Sequence, residues 1–215
     1  TVKVDVQDLE EDTWYFYEFQ DEQNRRSRRG RTKTLPVSNV NNFRAALVSC
    51  SNYQEGFFNV YDIISERNDF NAIIHLGDYI YEKGLSEEAQ QINRAHDPEN
   101  ALVTLSDYRT RYSQYHLDTM LQNLHQQYPF YNIWDDHEFA NDAWKHGAGS
   151  HNPSSQGDWD ARKSAALQAY LEWVPMREID PDNKFKIYRS IKIGELAEVF
   201  FLDTRIIERE VQDAP

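Results

Sequence analysis

Cysteine is almost absent from this chain: Cys50 is the single one in 215 residues. An intrachain disulfide is therefore excluded. Long apolar runs are missing too, since no stretch approaches the roughly 20 residues of a membrane-spanning helix, and no stable membrane insertion is expected. No basic start leads into an apolar segment, so no signal peptide is visible; the opening TVKVDVQDL reads instead as the middle of a strand. Positive charge is in short supply, with 23 Lys and Arg against 36 Asp and Glu and a net charge of −13. That balance argues against a nucleic-acid partner and for a soluble acidic protein, and it suits one that collects divalent cations. Internal repeats and low-complexity segments are also lacking. Aromatic side chains, by contrast, make up 13% of the residues, which is too rich for a disordered chain.

Two patterns divide the chain. TVKVDV alternates like a half-buried strand, TWYFYEFQ is a second strand of β-favouring aromatics, and RTKTL returns as a third after a hairpin tip at Gly30. The basic RRSRRGR is expected to be that solvated tip rather than a phosphate-seeking patch. Pro36 and VSNVNN then read as a linker. From Phe43 the pattern changes to a βαβ unit: FRAALVSC as a buried strand, GFFNVYDIISER as an amphipathic helix, FNAIIHLGD as another buried strand. TLSDYRTRYSQYHLDTMLQNLHQQY predicts one long helix with Ser106 as N-cap, followed by the strand FYNIW after Pro129. DWDARKSAALQAYLEW predicts a further helix stopped by Pro175. FKIYRSIKIG and LAEVFFLDTR predict strands joined by a turn at Gly194 and Glu195.

Chemistry-bearing residues recur where these strands stop. Cys50 ends the first core strand, Asp78 the second, Asp135 and Asp136 the third, and Asp203 the last. In layered α/β folds ligands bind outside the carboxyl ends of the parallel strands. Gly77 lets the backbone turn sharply ahead of Asp78, which could then bridge two metal ions that together clamp a phosphoryl group. Tyr81 lies close enough in sequence for its phenol to fold back beside the same ion. A phenolate with a thiolate favours Fe(III), whereas carboxylates and amides favour calcium, magnesium or manganese.

Plainer readings compete at each position. A lone Cys is usually a small hydrophobe, and Tyr79 and Tyr81 taken alone are core aromatics. His75, inside an apolar run, reads as a satisfied core histidine. His96, His116 and His125 read as surface or interface residues, while His146 and His151 flank a Gly-rich loop within reach of a site. WDDHE differs, because four ionisable groups in a row cannot all be buried without partners. Asp135 or Asp136 could bind an ion, His137 could hydrogen-bond phosphate or protonate a leaving oxygen, and Asn141 offers a neutral oxygen to a hard cation. Glu138 is expected to have a structural job at a helix N-terminus.

Taken together, VSCSN, HLGDYIYE, LSDYRTRYSQYHLD, YNIWDDHEFAND, AYLEWVPMR and FFLDTR resemble the alkaline phosphatase D (PhoD-like) family over nearly the whole chain. The resemblance implies an α/β fold with a calcineurin-like or purple-acid-phosphatase-like metallophosphoesterase core, two sheets sandwiched by helices, over residues 43–215. Residues 1–36 would be the last strands of an Ig-like β-sandwich. It implies Cys50 and Tyr81 as ligands of Fe(III) and Asp78 as the bridge to Ca2+, with Zn2+, Mn2+ or Mg2+ as other metals. Asp135 and Asn141 join the metal set, and Asp136, His137 and Arg205 the catalytic set, with the choice between the two aspartates open. The expected function is hydrolysis of phosphate monoesters and of diesters by an exported, periplasmic or cell-surface enzyme. The alternatives are a phospholipase D-like phosphodiesterase and a non-catalytic cation-binding module. Members of the family are longer, so a C-terminal part, or a second polypeptide, is expected to complete the site.

Overall fold

The aromatic run near the start forms a hairpin in the computed structural model, which describes residues 1–211. Strand β1 (Trp14–Tyr17) pairs antiparallel with β2 (Gly30–Lys33). Gly30 is not at the tip: it lies opposite Tyr17, and a Cβ there would come within 2.4 Å of the Tyr17 ring. The tip is built by Asp21, whose carboxylate accepts from the backbone N–H of Gln23 and Arg25. The expected strand over residues 1–6 does not form, and Val2, Val4 and Val6 are exposed. Alternation alone does not make a strand when no neighbour supplies the ladder. The hairpin docks on the rest of the molecule through Arg31, whose guanidinium lies 4.5 Å from the Trp14 ring and whose Nε donates to the carbonyl of Gln127.

The expected βαβ unit is present. Strand β3 (Ala45–Val48) leads through a 3-10 turn (Tyr53–Glu55) and helix α1 (Asn59–Ser65) to β4 (Ala72–His75), which is buried throughout and parallel to β3. After α2 (Glu87–Ile92) the predicted long helix is two: α3 (Leu105–Leu117) and α4 (Thr119–Gln127). Asp118 breaks it by leaving the helical region, its carboxylate accepting from the N–H groups of Met120 and Leu121. The N-cap of α3 is Thr104 rather than Ser106, in a reciprocal capping box with Asp107. Strand β5 (Phe130–Asn132) then returns parallel to β4, giving the order β3-β4-β5.

A small hairpin, β6 (Ala143–Trp144) and β7 (Gly147–Ala148), precedes the short α5 (Pro153–Gln156) and α6 (Trp159–Trp173), which packs on α3. Strands β8 (Arg189–Ile193) and β9 (Ala197–Phe201) form an antiparallel pair of their own. The last strand therefore does not extend the parallel sheet. The hairpin is tied to it by Arg189, which donates to the carbonyl of Asn132. The core between these layers is aromatic, with Tyr108, Tyr112, Tyr115, Trp134 and Tyr170 nearly inaccessible.

Candidate metal centre

Three loops leave the same end of the parallel sheet, and backbone hydrogen bonds lace them together. The N–H of Cys50 donates to the carbonyl of Gly77, and that of Ser51 to the carbonyl of Asp78. Glu138 is fully buried and accepts from the N–H groups of Asp78 (3.1 Å), Tyr79 (2.7 Å) and Asp135 (3.0 Å). Its job is structural, as expected, but it joins two strand ends instead of capping a helix. With little water to solvate it and Asp78 nearby, its carboxyl is pushed up to about 8. Gly77 is required here: its φ is +110°, and a Cβ would meet the Asp135 nitrogen at 2.3 Å. Cys50 (φ 59°), Asp78 (φ 55°) and Asp142 (φ 57°) also occupy left-handed backbone.

Asp78 is the hub. Its Oδ1 accepts from the His137 N–H at 3.3 Å, and its Oδ2 accepts from the Tyr81 hydroxyl at 3.2 Å and faces the Cys50 thiol at 3.5 Å. Asp78, Asp136 and His137, all buried, each offer a ligating atom within 4.8 Å of the others. The two aspartates separate. Asp136 joins this cluster, whereas Asp135 receives a two-pronged ion pair from Arg205 at 2.5 and 3.0 Å. Arg205 also reaches Asp136 at 3.7 Å. Asn141 lies alongside, its N–H donating to Glu82 and its side-chain amide to Asp142. Asp203 accepts from the N–H groups of Arg205 and Ile206, so it shapes the turn that delivers Arg205.

Carboxylates crowd one another at this point. Burial raises the Asp78 carboxyl, and neighbouring Asp136 and Asp135 push it the same way against the pull of His137. Among the described residues no Lys or Arg forms an ion pair with Asp78. Tyr81 is raised by burial and by Asp78 and Cys50. A carboxylate, a phenol and a thiol on one point, with a second carboxylate and an imidazole beside them, fit a metal ion of the kind their oxygen, sulfur and nitrogen donors suit.

Glu82, which the sequence reading left unremarked, is buried and accepts from His137 Nδ1 at 2.7 Å. Burial works against its charge, but the hydrogen bonds from His137 and Asn141 outweigh it and its carboxyl is lowered. For His137 burial likewise opposes the charge, and Glu82, Asp78 and Asp136 raise it overall. Glu82 ends the stretch HLGDYIYE, but its partner lies 55 residues away and no local signal points to it. His75 is the core histidine expected, bonded to Ser51 and Tyr61. His96 is buried rather than at the surface, while His116 and His125 are half-buried. His96 is buried against Lys83 and Tyr115, and the other two share the Tyr79 hydroxyl. His146 is exposed, and His151 contacts Arg162 rather than the cluster.

Known proteins resemble this chain in both sequence and structure. The sequence model of the PhoD-like phosphatase family matches residues 45–214, and that of the PhoD-like phosphatase N-terminal domain matches residues 1–36. Alkaline phosphatase D of Bacillus subtilis (strain 168) is 34% identical over 213 residues, which is 95% of this chain and 35% of that protein. A solved structure of PhoD superposes with a TM-score of 0.84 at 33% identity, covering 95% of this chain and 39% of the other. The purple acid phosphatase PPD1 from yellow lupin (Lupinus luteus) seeds superposes with a TM-score of 0.51 at 17% identity, over 88% of this chain and 30% of that one, and shares the fold. The α/β core is thus the metallophosphoesterase fold, and this chain spans little more than a third of the PhoD relatives it matches. The matches to most of its residues place the chain in the PhoD-like phosphatase family.

Proposed function

We propose that the chain carries part of a metal-dependent phosphoesterase centre, built on Asp78, that hydrolyses phosphate monoesters and also diesters. The observation that carries this reading is the convergence of Asp78, Asp136 and His137 at the end of the parallel sheet, with Cys50 and Tyr81 on the same carboxylate. Cys50, Tyr81 and Asp78 would hold Fe(III), and Asp78 would also serve Ca2+; Zn2+, Mn2+ or Mg2+ are the other metals this donor set accepts. Asn141 would add an amide oxygen and Asp136 a carboxylate. Proximity to Asp78 favours Asp136 over Asp135 as the ion-facing aspartate, with Asp135 steadying Arg205. When bound, the metal ions would activate water and neutralise the phosphoryl oxygens. His137 would hydrogen-bond the phosphate and protonate the leaving oxygen, and Arg205 would contribute positive charge at the rim of the site.

The domain division is part of the same proposal: residues 1–36 as the last strands of an Ig-like domain, residues 43–215 as part of the phosphatase domain. Exposed Leu47, Leu76, Phe200 and Leu202, on or beside β3, β4 and β9, support cover by further polypeptide, and from the family resemblance that polypeptide would add metal ligands. Among the described residues no helix is long and apolar enough to cross a membrane. Action outside the cytoplasm is taken from the family resemblance, and cell fractionation tests it. Phosphate release from a simple aryl phosphate, measured with and without a chelator, tests the activity. Chelator-sensitive release supports the proposal, and absence of release from metal-replete protein leaves the cation-binding alternative. A diester assayed in parallel separates phosphodiesterase from monoesterase action.

A further inference from the structure

Glu82 has an environment that a general stabilising role does not explain. It is 1% exposed, and its ion-pair partner among the described residues is His137 rather than any Lys or Arg. One oxygen, Oε2, accepts from His137 Nδ1 at 2.7 Å. The other, Oε1, accepts from the Asn141 N–H at 2.7 Å and from the Ser150 hydroxyl at 3.0 Å. A single carboxylate therefore ties the loop after β4 to the His137–Asn141 segment after β5 and to Ser150, just after β7. The His137 ring is fixed in a second direction by Tyr81, stacked on it at 4.1 Å with 25° between the planes. Tyr81 sets the ring plane and Glu82 sets its rotation. His137 Nε2 has no protein hydrogen-bond partner among the described residues.

A carboxylate can only accept. With Glu82 ionised, the Nδ1 position must carry a hydrogen, so the nitrogen left to exchange a proton is Nε2. We propose that Glu82 is a positioning residue that fixes the tautomer and orientation of His137 while clamping Asn141 beside it. This rests on the phosphoesterase reading for its consequence. A proton carried on Nε2 passes to the leaving oxygen as its bond to phosphorus breaks. The ring returns to its neutral Nδ1–H form, and Nε2 regains a proton from solvent. The purely structural alternative, in which Glu82 merely satisfies donors from three segments, also places hydrogen on Nδ1 but makes no demand on the rate of the chemical step.

The substitution Glu82→Gln separates the two. The amide oxygen still accepts from Asn141 and Ser150, but the atom facing His137 becomes an N–H donor. Nδ1 must then accept, and the hydrogen moves to Nε2. Long-range 1H–15N correlation on 15N-histidine-labelled, metal-free protein in alkaline buffer reads the tautomer directly, with the His137 signals assigned by their loss in His137→Ala. Wild type should carry hydrogen on Nδ1 and Glu82→Gln on Nε2. After metal loading, the variant's kcat on an aryl phosphate should fall by about 10- to 100-fold, the scale of such supporting contacts, with KM little changed. Hydrogen on Nε2 in wild type, an unaltered tautomer in Glu82→Gln, or a switched tautomer with unaltered kcat would each overturn the proposal. If Glu82→Gln does not fold, Glu82→Asp replaces it: the shorter carboxylate withdraws from the ring, so kcat should fall about 10-fold with KM little changed, and an unaltered kcat would overturn the proposal. If wild type releases no phosphate, the phosphoesterase reading fails, and the two tautomers still decide whether Glu82 positions His137.

Discussion

Asp78 and Cys50 both adopt left-handed backbone that non-glycine residues seldom tolerate, and they face one another at 3.5 Å. Each such conformation costs on the order of 1–3 kcal/mol and survives where the surroundings over-determine it, commonly at functional sites. The burst of Cys, Asp, Tyr and His at apolar strand ends was legible in the sequence because these residue types have no reason to follow buried strands without partners. What was not legible was who partners whom. Asp135 and Asp136 are chemically identical neighbours, and only Arg205, 70 residues on from Asp135, tells them apart, pairing with Asp135 at 2.5 Å and reaching Asp136 at 3.7 Å. Glu82 was hidden for the same reason. The residue-scale prediction concerns His137, proposed to act on substrate rather than to anchor metal. His137→Ala should retain its metal while turnover falls by ~10²–10⁴-fold, the usual reach of general acid–base assistance. Elemental analysis alongside a phosphate-release assay checks this, and loss of metal together with activity would make His137 a ligand instead.

Elements follow from the sequence where local and long-range signals agree. The βαβ pattern was readable because β4 is a run of apolar residues buried on both faces, a signature of parallel sheets. Residues 1–6 show the limit, since their alternation finds no partner strand. The break between α3 and α4 did have a signal, because Asp followed by Thr within a helical run is a local N-cap opportunity that outcompetes continuation. Two substitutions probe the elements. Thr104→Ala removes half of the capping box of α3 and should cost about 1 kcal/mol in urea unfolding, with Ser106→Ala near neutral. Gly77→Ala places a methyl against the backbone of Trp134 and Asp135 and strains a φ of +110°. It should destabilise by on the order of 1–3 kcal/mol and lower metal content, because the β4 and β5 loops would be forced apart. An unchanged unfolding midpoint would show that these loops are not packed as described.

At the scale of the molecule, charge and burial set the working conditions. Burial holds the imidazoles of His75 and His96 far below their ordinary range, to about 3 in each case, so both are neutral in the folded state. In the unfolded chain they titrate near ~6.5. The unfolded state therefore binds more protons as pH falls below that value. The stability these residues contribute is complete above it and is lost progressively toward pH 3, by on the order of 1 kcal/mol per pH unit for each histidine. Urea unfolding should show a marked decline from pH 7 to pH 5, and a flat profile would mean that the two rings are not buried as neutral groups. The same acidic molecule gathers Asp78, Asp135 and Asp136 at one end of the sheet, an arrangement that net charge alone could not locate. The most direct test of the account is metal content and aryl-phosphate turnover measured together in wild type and Asp78→Ala. The account predicts bound metal and chelator-sensitive turnover in wild type, with both lost in Asp78→Ala because the shared ligand is gone. Full metal content and normal turnover in Asp78→Ala would contradict it.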